Sequence, residues 1–444
     1  MSYWLGIDLG TTSSAAAVVV DGRAEMVDLS HAAKSTPSIV VRAEGGKLVV
    51  GDHAVRVAAT RPTGTAREFK RRFGDSTPIV LDGDSFAAHE LMAVLFHHVV
   101  QAVVAQRGEL PAGITVSHPT NWGSYKRDLL HNTLVPVWSS ALLLVTEPEA
   151  AAIHYAAQDR IPDGMVVAVY DLGGGTFDSA VLRKLTNSAD GVPRWEQLGR
   201  PGGIEHLGGI DFDEVIVQMM LERLELSPSD LDEDDPVIRA AVSQLRSSCR
   251  DAKELLSTTT SATIVSFLPG ASRAIRITRA EFERLIRPRI EETADELAST
   301  IASAFSNPNS IDRVLLVGGS SRIPLIGQVL ADRVGRPLVV DTHPKHAVAM
   351  GAATTLGRQA ATAPARPSQP PLPPVQLATT RPIRMEAPRP PLSVPVSPPM
   401  PPKELRPTPR PVPPAPGRYP IPRPSQPVAQ PPEREPQPGS IDLR

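Results

Sequence analysis

Two short stretches of this chain join an aspartate to a turn of small residues. Residues 5–15 read LGIDLGTTSSA, and residues 168–179 read AVYDLGGGTFDS. Each runs from an apolar strand into Asp-Leu-Gly, then through small residues with threonine, then into a second apolar run. Turns of Gly, Thr and Ser expose backbone N–H groups, and such concavities bind anions, phosphate above all. Glycine inside an element is costly, so Gly173, Gly174 and Gly175 in succession imply a close approach to the backbone. Asp8 and Asp171, at the mouths of the two turns, would repel bare phosphate. A divalent cation between them removes the conflict. Magnesium suits the place, since it keeps most of its waters and is held by one or two carboxylates plus phosphate oxygens. Either motif alone fits an ordinary β-hairpin. The matched pair instead predicts an internal duplication, two similar lobes facing each other across a polyphosphate.

A third glycine turn lies in RVLLVGGSSRIP, residues 313–324, where an apolar strand meets Gly318-Gly319 and a helix start. A flat ring can lie against such a junction. No GxxxxGK[ST] stretch occurs, and no dinucleotide fingerprint follows the first strand. His97 and His98 lack partners at metal-ligand spacing and are expected to be structural or solvent-facing. Strand-like runs at 3–8, 15–20 and 37–41 alternate with helical patterns near 87–107, 124–134, 147–158, 211–224, 237–256, 279–305 and 322–334, which argues for an α/β class. Within 237–256 an apolar stripe, Val242, Leu245, Cys249, Ala252 and Leu256, is accompanied by a polar one, Arg246, Arg250, Lys253 and Ser257. That polar face could point into a site.

Composition divides the chain sharply. Residues 361–444 hold 29 of the 47 prolines and carry a net charge of +6, so the remainder carries −8. The proline-rich part lacks hydrophobic periodicity and is expected to be disordered, with polyproline II character. Its PxxP spacings suit docking on an aromatic groove of a protein partner; a solubilising or spacing role is the alternative. The single cysteine, Cys249, allows no intramolecular disulfide and suits a reducing compartment. No secretory signal is visible at the N-terminus, and the apolar stretch at 91–105 is shorter than a membrane span. A cytoplasmic protein without a membrane span or a nucleic-acid partner is expected.

The chain resembles the nucleotide-binding half of DnaK-type seventy-kilodalton heat-shock chaperones, within the actin-like ATPase superfamily. The resemblance rests on GIDLGTTSS (6–14), FKRRFGD (69–75), TVSHPTN (115–121), VTEPEAAAIHYA (145–156), VYDLGGGTFDSAVL (169–182), HLGGIDFDE (206–214), SCRDAKELLS (248–257), ITRAEFERLI (277–286), VLLVGGSSRIP (314–324) and AVAMGAA (347–353). It implies a two-lobed α/β fold of the actin-like, duplicated ribonuclease H-like type over residues 1–358. Lobe I would cover about 1–165, lobe II about 166–340 and a closing helix about 341–358, with the disordered tail at 359–444. It also implies ATP or ADP with Mg2+ in the cleft, and leaves room for K+. By resemblance, Asp8, Asp171 and Asp178 serve the metal, and Lys70, Glu147, Asp171 and Thr176 the hydrolysis. Gly10, Thr11, Thr12, Ser13, Gly173, Gly174, Gly175, Gly208 and Gly209 would surround the phosphates. Lys253, Ser257, Gly318, Gly319, Ser320 and Arg322 would grip ribose and adenine. Pro119 matches the proline that couples nucleotide state to domain rotation. By themselves, Arg67, Lys70, Arg71 and Arg72 form what reads as a solvated basic patch.

The departures from the family pattern cluster at the adenosine end. Arg250 stands where an acid is usual, Glu254 replaces a basic residue, and Lys345 and His346 replace an acidic stretch. No acidic-hydrophobic linker or β-rich peptide-binding domain follows Gly357 in this sequence. The expected function is an ATP-binding, slowly hydrolysing, chaperone-like switch whose output is read by another protein. The alternatives are an interaction scaffold stabilised by nucleotide and, less favoured, a polymerising actin-like ATPase.

Overall fold

The alternation of short apolar strands with amphipathic helices builds two central sheets of the same design. The structure, a computed structural model, describes residues 3–357 except 31–32, 139, 159–160, 187–193, 233–234, 306 and 341–345. The proline-rich region and Lys345 lie outside the described residues. In the first sheet, the strand Trp4–Leu9 pairs antiparallel with Ser13–Val20 and parallel with Gly113–His118, which pairs in turn with Ala141–Thr146. In the second, Val166–Leu172 pairs antiparallel with Phe177–Lys184 and parallel with Arg313–Val317, which pairs with Leu338–Val340. The connectivity is repeated strand for strand, so Asp8 and Asp171 sit at matching positions beside their hairpin turns. Among the described residues the fold is thus a duplicated, actin-like α/β architecture.

The two halves exchange helices at the centre. Glu147–Gln158, which follows the first sheet, buries Ala150 and Ile153 with Val167 and Val169 of the second. Ala347–Gly357, which follows the second sheet, buries Ala349 and Ala353 with Ala15, Ala17 and Val19 of the first. Small residues let these elements meet backbone to backbone. A Cβ on Gly351 would overlap the carbonyl of Ala150, and one on Gly6 would overlap the backbone of Ala353. Alanine and glycine recur in both helices for that reason.

Most expected helices appear within a few residues of their predicted bounds, including Pro236–Leu256 and Arg279–Ala304. Two expectations need correction. The run 37–41 is two strands: Ser35–Pro37 pairs with Ser13–Ala15, while Ile39–Arg42 joins Leu48–Val50 and Thr65–Arg67. The chain changes sheets at Ser38, whose N–H donates to Thr12 O and whose hydroxyl shares a 2.9 Å hydrogen bond with Ser14. The second is the apolar stretch at 91–105. It belongs to a 20-residue helix, Ala88–Arg107, long and apolar enough by composition to cross a membrane. Its Leu91, Leu95, Phe96 and Val99 are instead fully buried in the first lobe's core.

Close packing at the helix crossing is testable. Gly351→Val should lower stability by about 1–3 kcal/mol, because no neighbour there is a side chain that can yield. Gly327→Ala, in a helix where an added Cβ meets nothing, should leave stability unchanged or raise it by about 0.4–1 kcal/mol. Urea unfolding of the two variants checks the contrast, and equal midpoints would contradict it.

Candidate functional site

Between the lobes lies a cleft of about 1290 Å³, large enough for a nucleotide. Its floor is built from the duplicated hairpins. Asp8, Gly10, Thr11, Thr12 and Ser13 line it from the first lobe, and Asp171, Gly173, Gly174 and Thr176 from the second. Gly209, Lys253, Ser257, Gly318, Gly319, Ser320 and Arg322 also line it, as do Lys70 and Glu147. Three expected site residues, Asp178, Gly175 and Gly208, do not reach its surface.

The glycines serve a purpose that the sequence did not reveal. A side chain on Gly174 would strike Thr12, and one on Gly175 would strike Thr11, so they first let the two turns close on each other. Gly208 packs on that same turn. The carbonyls of Gly173 and Gly174 accept from Gly209 N–H at 3.0 Å and Ile210 N–H at 2.9 Å, and the Ser320 hydroxyl donates to Gly173 O at 2.8 Å. The triple-glycine turn is therefore tied to the start of the helix Gly209–Arg223, whose N-terminus favours anions. Gly318 holds a left-handed φ of 81° against Leu172 O and Asp171 Oδ1, a place no larger residue fits.

Lys70 is the central correction to the residue-level reading of a solvated basic patch. It is buried, 8 % exposed, and donates to Glu147 Oε1 at 2.7 Å. The turn Phe69–Arg72 is set by Glu68, a non-glycine residue in the left-handed region with φ 57°. Such backbone persists only where the surroundings over-determine it. Buried Phe69 and Phe73 hold the turn, and Phe73 stacks on Trp122 at 4.6 Å. Trp122 follows Pro119, so one aromatic contact joins the lysine turn to the proline loop. Neighbouring Arg71 crosses to the second lobe, donating to Gly175 O at 2.9 Å and, through both terminal nitrogens, to Asp211 at 3.3 and 2.5 Å. The sequence offered no signal for this contact beyond the charge of Arg71.

Four carboxylates, those of Asp8, Glu147, Asp171 and Asp178, surround this one ammonium. Burial opposes the charge on Lys70, but Glu147 and Asp8 outweigh it and hold the lysine above its ordinary range. The aspartates carry the opposite strain. Burial raises Asp8 to about 6, relieved in part by Lys70 and by a 2.9 Å hydrogen bond from Ser117. Burial and then Glu147 raise Asp178 to about 7, and Asp171 lies well above its ordinary value for the same reasons. The buried Asp178 Oδ1 has no hydrogen-bond partner among the described residues. Together these features fit a cation and its waters. Among the described residues no three His, Cys, Asp or Glu side chains are placed to ligate a metal directly, as suits an ion held through water and phosphate.

At the far end Lys253 is clamped by Gly209 O at 2.7 Å and Asp213 at 2.8 Å. The polar stripe Arg246, Arg250, Lys253 and Ser257 does face the cleft. Of the apolar stripe, Leu245, Cys249, Ala252 and Leu256 are buried, while Val242 is half-buried and turns to the cleft wall.

A duplicated sheet, exchanged helices and a cleft of turns lined with acids define the actin-like class of two-lobed proteins. The comparisons narrow this further. The family model described as Hsp70 protein matches residues 4–362. The chaperone protein DnaK of Methanothermobacter thermautotrophicus is 31 % identical over 360 residues, covering 79 % of this chain and 58 % of that relative. The chain belongs to the Hsp70 family, and it spans little more than half the length of this curated relative.

The raised aspartates have a consequence for stability. A carboxylate whose folded pKa lies above its unfolded value of about 4 contributes stability that is complete below that value and lost as pH rises through the folded pKa. For Asp8 and Asp178 the loss falls between about pH 4 and 7. Without divalent cations the melting temperature should therefore fall across that window by several degrees. Adding 5 mM Mg2+ with ADP should restore more at pH 8 than at pH 5. Thermal unfolding across pH checks this, and a larger cation effect at pH 5 would contradict it.

Proposed function

We propose that the chain binds ATP with Mg2+ in the cleft, hydrolyses it slowly, and passes the resulting lobe movement to a protein partner. The observation that carries this reading is the buried Lys70–Glu147 pair set among three aspartates beside two phosphate-type turns. A pure scaffold has no use for such a costly cluster, since a buried ion pair is seldom worth its desolvation. Asp8 and Asp171 would hold the cation's water shell, with Asp178 behind them. Thr11, Thr12, Gly173 and Gly174 would meet the phosphates, and Lys253, Ser257, Gly318, Gly319, Ser320 and Arg322 the nucleoside. The bound cation would neutralise charge that develops on the transferred phosphoryl group. Phosphoryl transfer asks the protein mainly for positioning and charge. Lys70 would orient the attacking water, and Glu147, which accepts from Lys70, would hold that ammonium in place and handle the proton.

The same reading gives movement an exit. Closing the lobes shifts Arg71 against Asp211 and Gly175, and the Phe73–Trp122 stack passes displacement of the lysine turn to Pro119. The chaperone-type output follows from family membership, and its client remains to be identified. Residues 359–444 would recruit a partner through PxxP rather than take part in nucleotide binding, and a cytoplasmic location suits the single buried cysteine.

Lys70→Ala should lower single-turnover ATP hydrolysis at least tenfold while changing the Kd for ATP less than about threefold, because the lysine serves the transition state more than the ground state. Its loss leaves Glu147 buried without a partner, so thermal unfolding of Lys70→Ala, measured alongside the rate, separates lost chemistry from lost stability. The chain truncated after Gly357 should match the full chain in both assays. An unchanged rate in Lys70→Ala would remove the lysine from the reaction, and wild-type binding without turnover would favour the scaffold.

A further inference from the structure

The polar stripe on Pro236–Leu256 is unevenly paired. Lys253 meets Asp213, and Arg246 meets Glu214 at 3.4 Å. Among the described residues Arg250, one turn before Lys253, donates to the Ser247 hydroxyl at 3.2 Å. On the opposite lobe Arg67 ends the strand Thr65–Arg67 and lines the same cleft. Among the described residues neither Arg67 nor Arg250 has a carboxylate within ion-pair distance. The adjacent Glu68 instead lies 3.8 Å from Arg71. Asp52, Arg239 and Glu254 line the same cleft, and each has an interaction of its own.

The two guanidiniums line the same cleft from opposite lobes. Burial first, and then the charge of Arg250, hold Arg67 below its ordinary value. Like charges on the two walls of one cleft repel, although both side chains are exposed enough for salt to weaken the effect. Arginine pairs are well matched to phosphate, because each guanidinium offers two parallel donors. An anion between them would turn repulsion into a bridge between the lobes.

We propose that Arg67 and Arg250 seat a second phosphate group, apart from the polyphosphate at the Asp8 and Asp171 turns. The seat lies beside Lys253 and Ser257, which the nucleotide reading gives to the ribose, and the proposal rests on that reading. The ligand class is therefore an adenine nucleotide carrying a phosphate on its ribose, or a plain nucleotide with free phosphate beside it. Either would draw the two lobes together through side chains that plain nucleotide leaves unbridged.

Calorimetric titration of the full chain with Mg2+ separates these cases. The probes are ADP, ADP carrying a 3′-phosphate, and ADP in the presence of 10 mM inorganic phosphate. The 3′-phosphorylated nucleotide should bind at least about tenfold tighter than ADP, and raised salt should shrink the difference. Arg250→Glu and Arg67→Ser should each bring the ratio of the two Kd values close to one. A gain seen only with inorganic phosphate, and lost in the same variants, would support the seat with the free ion as its occupant. ADP binding with no gain from either phosphate source, or a gain that persists in both variants, would overturn the proposal. Failure of ADP to bind at all would overturn the nucleotide reading beneath it.

Discussion

The structure depends on one electrostatic imbalance, the crowding of four carboxylates around a single buried ammonium. Charge taken out of water is expensive, and an uncompensated carboxylate answers by holding its proton. Burial pushes Asp8, Asp171 and Asp178 all in that direction. Lys70, committed to Glu147 at 2.7 Å, offsets the excess only in part. Such a cluster suits a positive charge that the described residues do not themselves supply. The left-handed turn at Glu68, the Ser117 hydrogen bond to Asp8 and the glycine that lets Asp171 abut Gly318 all hold the cluster in place.

The duplication explains how so distant a set of residues comes together. Each lobe supplies one strand, one hairpin and one carboxylate, and each sends a helix onto the other's sheet. The crossing of Glu147–Gln158 with Ala347–Gly357 lies directly behind the cleft. Glu147 is the first residue of one of those helices, so the partner of Lys70 moves with the element that joins the lobes. In the proposed function, chemistry at the cleft would be coupled to lobe movement through Glu147 and its helix. Arg71, reaching across to Asp211, is a second link.

Much of this was legible because the relevant signals are local. Asp-Leu-Gly followed by small residues marks a hairpin wherever it occurs, and two copies revealed the repeated sheet. The stripe from Leu245 to Leu256 marked the buried face of its helix through 3.6-residue spacing. What stayed hidden depends on contacts between distant segments. No spacing rule shows that Gly174 and Gly175 face Thr12 and Thr11, or that Gly351 must admit the carbonyl of Ala150. Burial of Lys70 was invisible for the same reason. A lysine followed by two arginines looks solvated until the Phe73–Trp122 stack and Glu147 are in place. The break at Ser38 was hidden because Ile39, Val40 and Val41 carry a strong strand signal, and a change of sheet depends on which neighbours are present.

In the proposed function, Mg2+ with nucleotide would displace protons from the buried aspartates. Proton release measures this directly, through calorimetric binding of Mg2+–ADP at pH 6.5 in buffers of different ionisation enthalpy. With Asp8 near 6, Asp178 near 7 and Asp171 raised well above its ordinary value, binding should release about one to two protons, and the share from Asp8 and Asp178 should fade by about pH 9. Binding that takes up protons, or exchanges none at pH 6.5, would contradict the account.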